Sequence, residues 1–154
     1  LIPIQWPAFE LDGATDTIFE RQIQLTSVEQ PQQTIHPGDL VTVTLHWHAL
    51  EQITEDYTSF VHLIDPSGSI VAGDDHPPTN GWFPTRLWPE GAVVFDPYHL
   101  DFPADLAAGS YELWGGLYRP ESVRRLEAIR QSTGERWKDD LVHLGTLVVA
   151  DRDR

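Results

Sequence analysis

The feature that most constrains the fold is a strict alternation of apolar and polar side chains over residues 40–50. The apolar positions are Val41, Val43, Leu45, Trp47 and Ala49, and the polar positions are Thr42, Thr44, His46 and His48. Successive side chains of a β-strand point to opposite faces, so this period of two predicts a strand with one buried face. Such a strand needs a second layer of structure to cover its apolar side.

Turn residues divide the rest of the chain into similar short runs. The sequence contains 11 Gly and 12 Pro, spread along its length, which is typical of all-β proteins. Further strands are predicted over residues 18–28, 57–64, 92–102, 110–118 and 141–150, with a returning strand that begins at 70–72. Pro and Gly at residues 36–39 and 65–68 predict tight turns.

Two segments lack a clear period. Residues 73–91 are rich in Pro and are predicted to form an irregular loop held by Trp82, Phe83, Leu87 and Trp88. Residues 120–134 fit either a short helix or a hairpin that turns at 120–123, and the neighbouring strands favour the hairpin.

These patterns predict an all-β fold, a two-sheet antiparallel β-sandwich of about eight strands with Ig-like or jelly-roll topology. The 154 residues suit one domain, which we expect over residues 18–150. Residues 1–17 would be an N-terminal lead-in and 151–154 a frayed tail. Because the sequence begins at Leu1 and contains no Met, we expect it to be a piece of a longer chain.

Composition excludes several classes of function. The formal net charge is −14, so the chain repels phosphate backbones and we expect no nucleic-acid partner. The absence of Cys excludes a disulfide scaffold, a Cys nucleophile and a thiolate zinc site. No apolar run in the sequence is long enough to span a bilayer.

Several short motifs are similar to those of a known family. They are Pro37-Gly38-Asp39-Leu40, Phe60-Val61-His62-Leu63-Ile64-Asp65, Asp74-Asp75-His76-Pro77-Pro78, Trp88-Pro89-Glu90-Gly91, Ala108-Gly109-Ser110-Tyr111 and Gly116-Leu117-Tyr118. Together they resemble the C-terminal β-sandwich region of bacterial polytopic membrane proteins of the family 39 glycosyltransferase type (the dolichyl-phosphate-mannose mannosyltransferase type). One departure is Val123, a β-branched residue where the family pattern has a turn Gly.

The resemblance implies an extracytoplasmic module, attached to the membrane domain of its parent chain through segments absent from this sequence. It implies no catalytic residue here, because the catalytic acids of such enzymes lie in loops of the membrane part. The domain itself would then be no enzyme, although the parent chain could be a glycosyltransferase.

The triplet Asp74-Asp75-His76 is one candidate site. Two carboxylates and an imidazole can bind a divalent cation through oxygen and nitrogen ligands. Adjacent residues of an extended chain point to opposite sides, however, so these side chains could equally accept hydrogen bonds from local amides. We favour this structural interpretation and expect no cofactor.

Histidines and scattered acids offer weaker alternatives. His46 and His48 share one face of a predicted strand, and His62 on the next strand could complete a zinc site. Two solvent-facing polar residues explain the pattern more simply. Asp96 and Glu112, if they lie on neighbouring strands, could form a carboxylate pair for glycoside hydrolysis. Arg124-Arg125 is a small basic spot on an acidic surface.

The Pro-rich loop carries the candidate ligand-binding residues Trp82, Trp88, Asn80, Arg86 and Asp75. An indole face can stack on a sugar ring while the polar side chains bond its hydroxyls. Alternatively, Trp82 and Trp88 plug one end of the sandwich and rigidify the loop, which we favour because large aromatic residues are usually buried.

Three hypotheses follow from the sequence. The first is a non-catalytic accessory module of a glycosyltransferase-like membrane protein that contacts glycan or protein. The second is a metal-assisted hydrolase that uses the Asp74-Asp75-His76 triplet, and the third is a structural spacer. A concave groove with exposed Trp82 or Trp88 would favour the first.

Overall fold

The computed structural model describes residues 14–30 and 34–151, which form eleven strands in two packed sheets. The strands are β1 (Thr17–Phe19), β2 (Ile23–Glu29), β3 (Thr34–Ile35), β4 (Leu40–Ala49), β5 (Thr58–Ile64), β6 (Ile70–His76), β7 (Val93–Asp101), β8 (Gly109–Arg119), β9 (Arg124–Arg125), β10 (Ala128–Arg130) and β11 (Val142–Val149). Within these ranges the helices are four short 3₁₀ turns, at Ala14–Asp16, Pro78–Gly81, Thr85–Leu87 and Lys138–Asp140.

The first sheet has the strand order β10-β1-β2-β4-β7, and the second has the order β3-β11-β8-β5-β6 with β9 added to β8. Neighbouring strands are antiparallel except for the short parallel pair β3 and β11. The predicted all-β, two-sheet sandwich is confirmed. The strands beyond the predicted eight are segments of two or three residues.

Strand β4 is central to the first sheet and confirms the alternation seen in the sequence. Its five apolar side chains are buried, and the side chains between them are exposed or half-buried. The indole of Trp47 packs edge-on against Phe19 of β1, with 5.7 Å between ring centroids. Full burial of a large apolar side chain stabilises a fold by roughly 1.5–3 kcal/mol, so this row accounts for much of the packing between the sheets.

The single strand predicted over residues 18–28 is wrong, because the segment folds back as the hairpin of β1 and β2. Glu20 and Arg21 turn the chain with φ angles of 50° and 60°. Phe19 and Ile23 are cross-strand partners, so both still face the core. A tight hairpin therefore preserves the alternation of a continuous strand.

The hairpin predicted over residues 120–134 is confirmed. Strand β9 pairs with β8, and the amide of Val123 donates to the carbonyl of Arg119 at 2.7 Å. Val123 adopts a φ of 57° at the position where the resembling family has Gly. The turn is thus formed despite the cost of a left-handed conformation for a β-branched residue.

The predicted loop over residues 73–91 is shorter than expected, because β6 continues to His76. Trp88 is fully buried and its indole N–H donates to the carbonyl of Phe83 at 2.8 Å, as a plug of the sandwich end requires. Trp82 was predicted to share that role, but its side chain is 91% exposed.

Other expectations lie at the limits of the described chain. Most of the predicted lead-in (1–17) and of the predicted tail (151–154) falls outside the described residues. Among the residues that are described, no helix has the length and apolar character needed to cross a membrane.

Candidate functional site

A groove of about 540 Å³ lies on the outer face of the second sheet, and we call it the outer-face groove. Its lining residues are Phe60, His62, Ile64, Gly68, Ile70, Asp75, Trp114, Tyr118, Val123, Arg125, Trp137, Lys138, Asp139 and Leu141. Strands β5, β6 and β8 supply the floor, and the β8–β9 turn and the segment around Lys138–Asp140 supply one end. The lining is mostly apolar with a few charged groups, as in typical small-ligand sites.

Aromatic rings form the floor because of the strand pleat. Phe60 on β5 and Trp114 and Tyr118 on β8 all point away from the core, and the rings of Phe60 and Tyr118 lie 5.9 Å apart. Gly116 lies between the two β8 aromatics, and a Cβ there would come within 3.1 Å of the Phe60 ring. The missing side chain at Gly116 therefore makes room for the Phe60 ring.

A hydrogen-bonded trio of polar side chains lies on this floor. Asp75 receives a hydrogen bond from the hydroxyl of Tyr118 at 3.0 Å, and its other oxygen lies 2.7 Å from Nε2 of His62. Partial burial and the bond to Asp75 raise the pKa of Tyr118, so its hydroxyl stays protonated and donates at neutral pH. A Cβ at Gly73 would lie 2.9 Å from the His62 ring and would displace it, so glycine leaves the space that the ring occupies.

Cations line the end of the groove near the β8–β9 turn. Nε of Arg125 donates to the carbonyl of Asp139 at 2.7 Å, which leaves the terminal nitrogens of its guanidinium without a hydrogen-bond partner among the described residues. Lys138 forms neither an ion pair nor a side-chain hydrogen bond with any residue in the ranges 14–30 and 34–151. The groove thus combines ring faces with both hydrogen-bond donors and acceptors.

A second groove, of about 420 Å³, lies where the edges of β6 and β7 meet, and we call it the edge groove. Its lining residues are Asp74, His76, Thr79, Asn80, Trp82, Phe95, Pro97 and His99. It gathers four of the residues that the sequence predicted to have a function: Asp74, His76, Asn80 and Trp82.

The polar groups of β6 in the edge groove already bind the edge of β7. The carboxylate of Asp74 accepts a hydrogen bond from the amide of His99 at 2.8 Å. The two ring nitrogens of His76 lie 2.8 Å from the carbonyl of Pro77 and 3.2 Å from that of Pro97. These contacts connect the two sheets along a side where neither has a further strand, which is a structural role.

A buried carboxylate holds the loop above the edge groove. Asp96 is fully buried and accepts hydrogen bonds from the Trp47 indole at 3.1 Å, from the Thr79 amide at 2.7 Å and from the hydroxyl of Tyr98. Burial raises the pKa of Asp96, although the three donors oppose the shift. The hydrogen bond from the backbone N–H of Thr79 to Asp96 holds Thr79 at a φ of 59°, and it thereby positions the loop that carries Trp82.

The metal-binding hypotheses are corrected by this geometry. Asp74 faces the edge groove and Asp75 faces the outer-face groove, because adjacent side chains of β6 point to opposite sides. The triplet with His76 is therefore no single ligand set. Within residues 14–30 and 34–151, no three His, Asp or Glu side chains are arranged to hold a metal ion.

Two other predicted groupings are also wrong. His62 is on β5 of the second sheet, whereas His46 and His48 are on β4 of the first, so the three imidazoles cannot form one zinc site. Asp96 is buried on β7, and Glu112 pairs with His143 at 2.5 Å on the second sheet. These two carboxylates are consequently not neighbours.

The five ligand-binding candidates of the loop do not converge on one ligand. Trp88 is buried, Arg86 pairs with Asp56 at 3.0 Å, and Asp75 lies in the outer-face groove. Trp82 and Asn80 alone remain exposed beside the edge groove.

Sequence reasoning missed the outer-face groove. Its floor residues Trp114 and Tyr118 lie at alternate positions of the strand predicted over residues 110–118, but nothing in the sequence connects them with Phe60. The useful signal is a glycine between two aromatics of one strand face, here Gly116, because it leaves space for a ring from the next strand.

Comparisons with known proteins agree with the fold. No family model matches the chain, and no curated protein matches it. The C-terminal domain of Wzt has a similar structure, with a TM-score of 0.57 at 12% identity over 87% of this chain and 77% of that one. A Niemann-Pick type C2 protein from Japanese carpenter ant has a TM-score of 0.45 at 9% identity, over 83% of this chain and 89% of that one. The first likeness supports the β-sandwich fold alone, and the second is too remote to support an argument.

Proposed function

We propose that this domain is a non-catalytic carbohydrate-binding module and that its ligand occupies the outer-face groove. The observation that carries the proposal is the floor of Trp114 and Tyr118, backed by the buried ring of Phe60, in a groove of about 540 Å³ that also contains charged side chains. That volume is within the range of small-ligand sites.

A sugar fits this combination of groups better than an apolar molecule does. The face of an aromatic ring carries a partial negative charge, which attracts the polarised C–H groups on one face of a sugar ring. Sugar hydroxyls both donate and accept hydrogen bonds, so they can pair with the carboxylate of Asp75 and with the N–H groups of Arg125. A purely apolar ligand would desolvate these charged groups without replacing their bonds to water.

The cellular context is part of the same proposal. The motif resemblance supports a module outside the cytoplasm, attached through its parent chain to the membrane domain of a glycosyltransferase-like protein. In that setting the groove would hold part of a glycan near the enzyme without taking part in the reaction.

The test is a screen of the purified domain on a glycan array, followed by calorimetry with the best binder. Trp114→Ala removes a floor ring and should lower the affinity by tenfold or more. Trp82→Ala is the matched control, because it removes an indole of the same size that is 91% exposed in the other groove. It should leave the affinity unchanged.

A subtler variant, Tyr118→Phe, keeps the ring but removes the hydroxyl that donates to Asp75. It should weaken binding several-fold while the protein stays folded. Absence of any binding glycan would contradict the proposal, and so would a loss of affinity in Trp82→Ala but not in Trp114→Ala, since that result would assign the ligand to the edge groove.

A further inference from the structure

The positive charges of this acidic chain are concentrated in one segment of the sequence, and two of them, Arg125 and Lys138, line the outer-face groove. Six of its ten Lys and Arg residues lie within residues 119–138, which contain only three acidic residues, whereas the whole chain has a net charge of −14. In the fold, this segment supplies the β8–β9 turn, β10 and the approach to Lys138–Asp140. The basic spot noted at Arg124-Arg125 is thus part of a larger cationic region.

Three of the other six cations among the described residues pair with acids, two of them within the same segment. Arg86 pairs with Asp56, Arg119 with Glu20 and Glu55, and Arg136 with Asp140. The two cations that line the groove, Arg125 and Lys138, form no ion pair with a residue of the described ranges. Arg130 lies behind the same end, 5.3 Å above the ring of the groove residue Trp137.

The carboxylates near these two cations form their hydrogen bonds with other residues, although they keep their negative charges. The pKa of Asp140 is lowered by its hydrogen bonds from Arg136 and also by the charge of Arg125. Each oxygen of Asp75 already has a hydrogen-bonding neighbour, one in Tyr118 and the other in His62. Asp140 accepts two hydrogen bonds from the guanidinium of Arg136, both at 2.8 Å. Asp139 has no such contact among the described residues, and the groove lining therefore carries two carboxylates, Asp75 and Asp139, beside the positive charges of Arg125 and Lys138.

We infer that the saccharide bound in the outer-face groove carries an acidic substituent, a carboxylate or a phosphate, which Arg125 and Lys138 hold. This inference rests on the proposed function of the groove and specifies its ligand class. The planar fork of a guanidinium suits an oxyanion, and an ammonium adds a mobile point charge. The rest of the chain repels anions, so these two side chains give the ligand its place and its orientation.

The experiment compares matched glycan pairs on the array and by calorimetry. Each pair consists of a uronic-acid or phosphate-bearing oligosaccharide and its carboxyl-reduced or dephosphorylated counterpart. The acidic member should bind at least tenfold more tightly, and its advantage should shrink as salt rises from 0.05 to about 0.5 M, because salt screens exposed charges.

Lys138→Gln and Arg125→Gln should each reduce the preference for the acidic glycan roughly tenfold, while affinity for the neutral partner stays constant. Lys138→Gln is the cleaner variant, because the Lys138 ammonium has no ion pair or hydrogen bond to lose among the described residues, so the domain should stay folded. Arg124→Gln is the matched control: it removes the same charge one residue away, on a side chain that does not line the groove.

Equal binding of both members of every pair would overturn the inference while leaving the proposed function intact. A preference that survives in the Arg125→Gln, Lys138→Gln double variant would also overturn it. If neither member of any pair binds, the proposed function fails and the inference fails with it.

Discussion

The two grooves contain similar side chains and use them in different ways. In the edge groove, Asp74 and His76 of β6 bond to the backbone of β7, so their polar atoms are occupied by the fold. In the outer-face groove, Trp114, Tyr118 and two cations line the surface, while Phe60 is 3% exposed. The neighbours Asp74 and Asp75 show the difference most directly, because one step along a strand sends one carboxylate to each groove. An acidic cluster in a sequence can therefore be divided by the pleat of the sheet between two separate surfaces.

The largest expected effect is the loss of stability when the buried carboxylate of Asp96 is removed. Asp96→Ala leaves the Trp47 indole, the Tyr98 hydroxyl and the Thr79 amide without their acceptor. The free energy of unfolding should fall by about 3 kcal/mol, since each unsatisfied buried donor is costly and relief of the buried charge offsets only part of this. Urea denaturation followed by tryptophan fluorescence measures the change.

The matched substitution in the other groove is Asp75→Ala. Asp75 is exposed and its partners can turn to water, so the loss should be about 1 kcal/mol or less. Equal losses of unfolding free energy in Asp96→Ala and Asp75→Ala would contradict the proposal that the edge groove is structural and the outer-face groove binds a ligand.

An effect smaller than that of Asp96→Ala is expected from filling the floor of the outer-face groove. In Gly116→Ala, the new Cβ would come within 3.1 Å of the Phe60 ring and 3.3 Å of the carbonyl of Asp140. The ring must shift, so stability should fall by about 1–2 kcal/mol and glycan affinity should fall several-fold.

Ser110→Ala is the control on the same strand, at an exposed position outside the groove. It should change stability by no more than about 0.5 kcal/mol and affinity not at all. If Gly116→Ala binds glycan as tightly as the control does, Phe60 is not part of the binding floor.

The smallest expected effect is on the pH dependence of stability, to which Asp140 and Asp96 contribute with opposite signs. Two hydrogen bonds from Arg136 hold the pKa of Asp140 below its usual value, so its stabilising contribution is present above the pKa of the unfolded chain and is lost as pH falls through the folded value. Burial raises the pKa of Asp96, so its contribution has the opposite sign: it is present at low pH and is lost as pH rises through the folded value.

Asp140→Asn should therefore make the unfolding free energy fall less steeply as pH decreases. The change in that slope corresponds to at most about one proton bound on unfolding. Urea titrations at a series of pH values between 2 and about 6 measure that slope. An unchanged slope would mean that the ion pair with Arg136 does not lower the pKa of Asp140 below its value in the unfolded chain.

The parts of the fold that the sequence predicted are those with a single, uninterrupted period. Strand β4 alternates without a break, and its apolar row is buried as expected. Burial alternates along β7 as well, but its buried row includes Asp96, whereas Val93 and Phe95 are exposed. The β1–β2 hairpin escaped prediction because its turn keeps Phe19 and Ile23 on one face. Local alternation defines which side of a strand is buried but not where the chain reverses.

The site was harder to predict because it depends on pairing between distant strands. Phe60 and Gly116 are 56 positions apart and become neighbours only through the register of β5 and β8. The loop residues Trp82 and Trp88 are close in sequence, yet one is exposed and the other is fully buried. Composition identified suitable residue types, whereas the register decided which of them share a surface.

The contacts that Asp74 and His76 make with β7 have a consequence for the behaviour of the protein at high concentration. Strand β7 forms a nine-residue edge of the first sheet, and an edge of that length is a template on which another chain can add a strand and start an aggregate. Asp74 occupies the amide of His99, His76 lies against the carbonyl of Pro97, and Pro97 itself offers no N–H. An incoming strand would find no continuous row of free groups there, so the same side chains that join the two sheets also protect the protein from self-association.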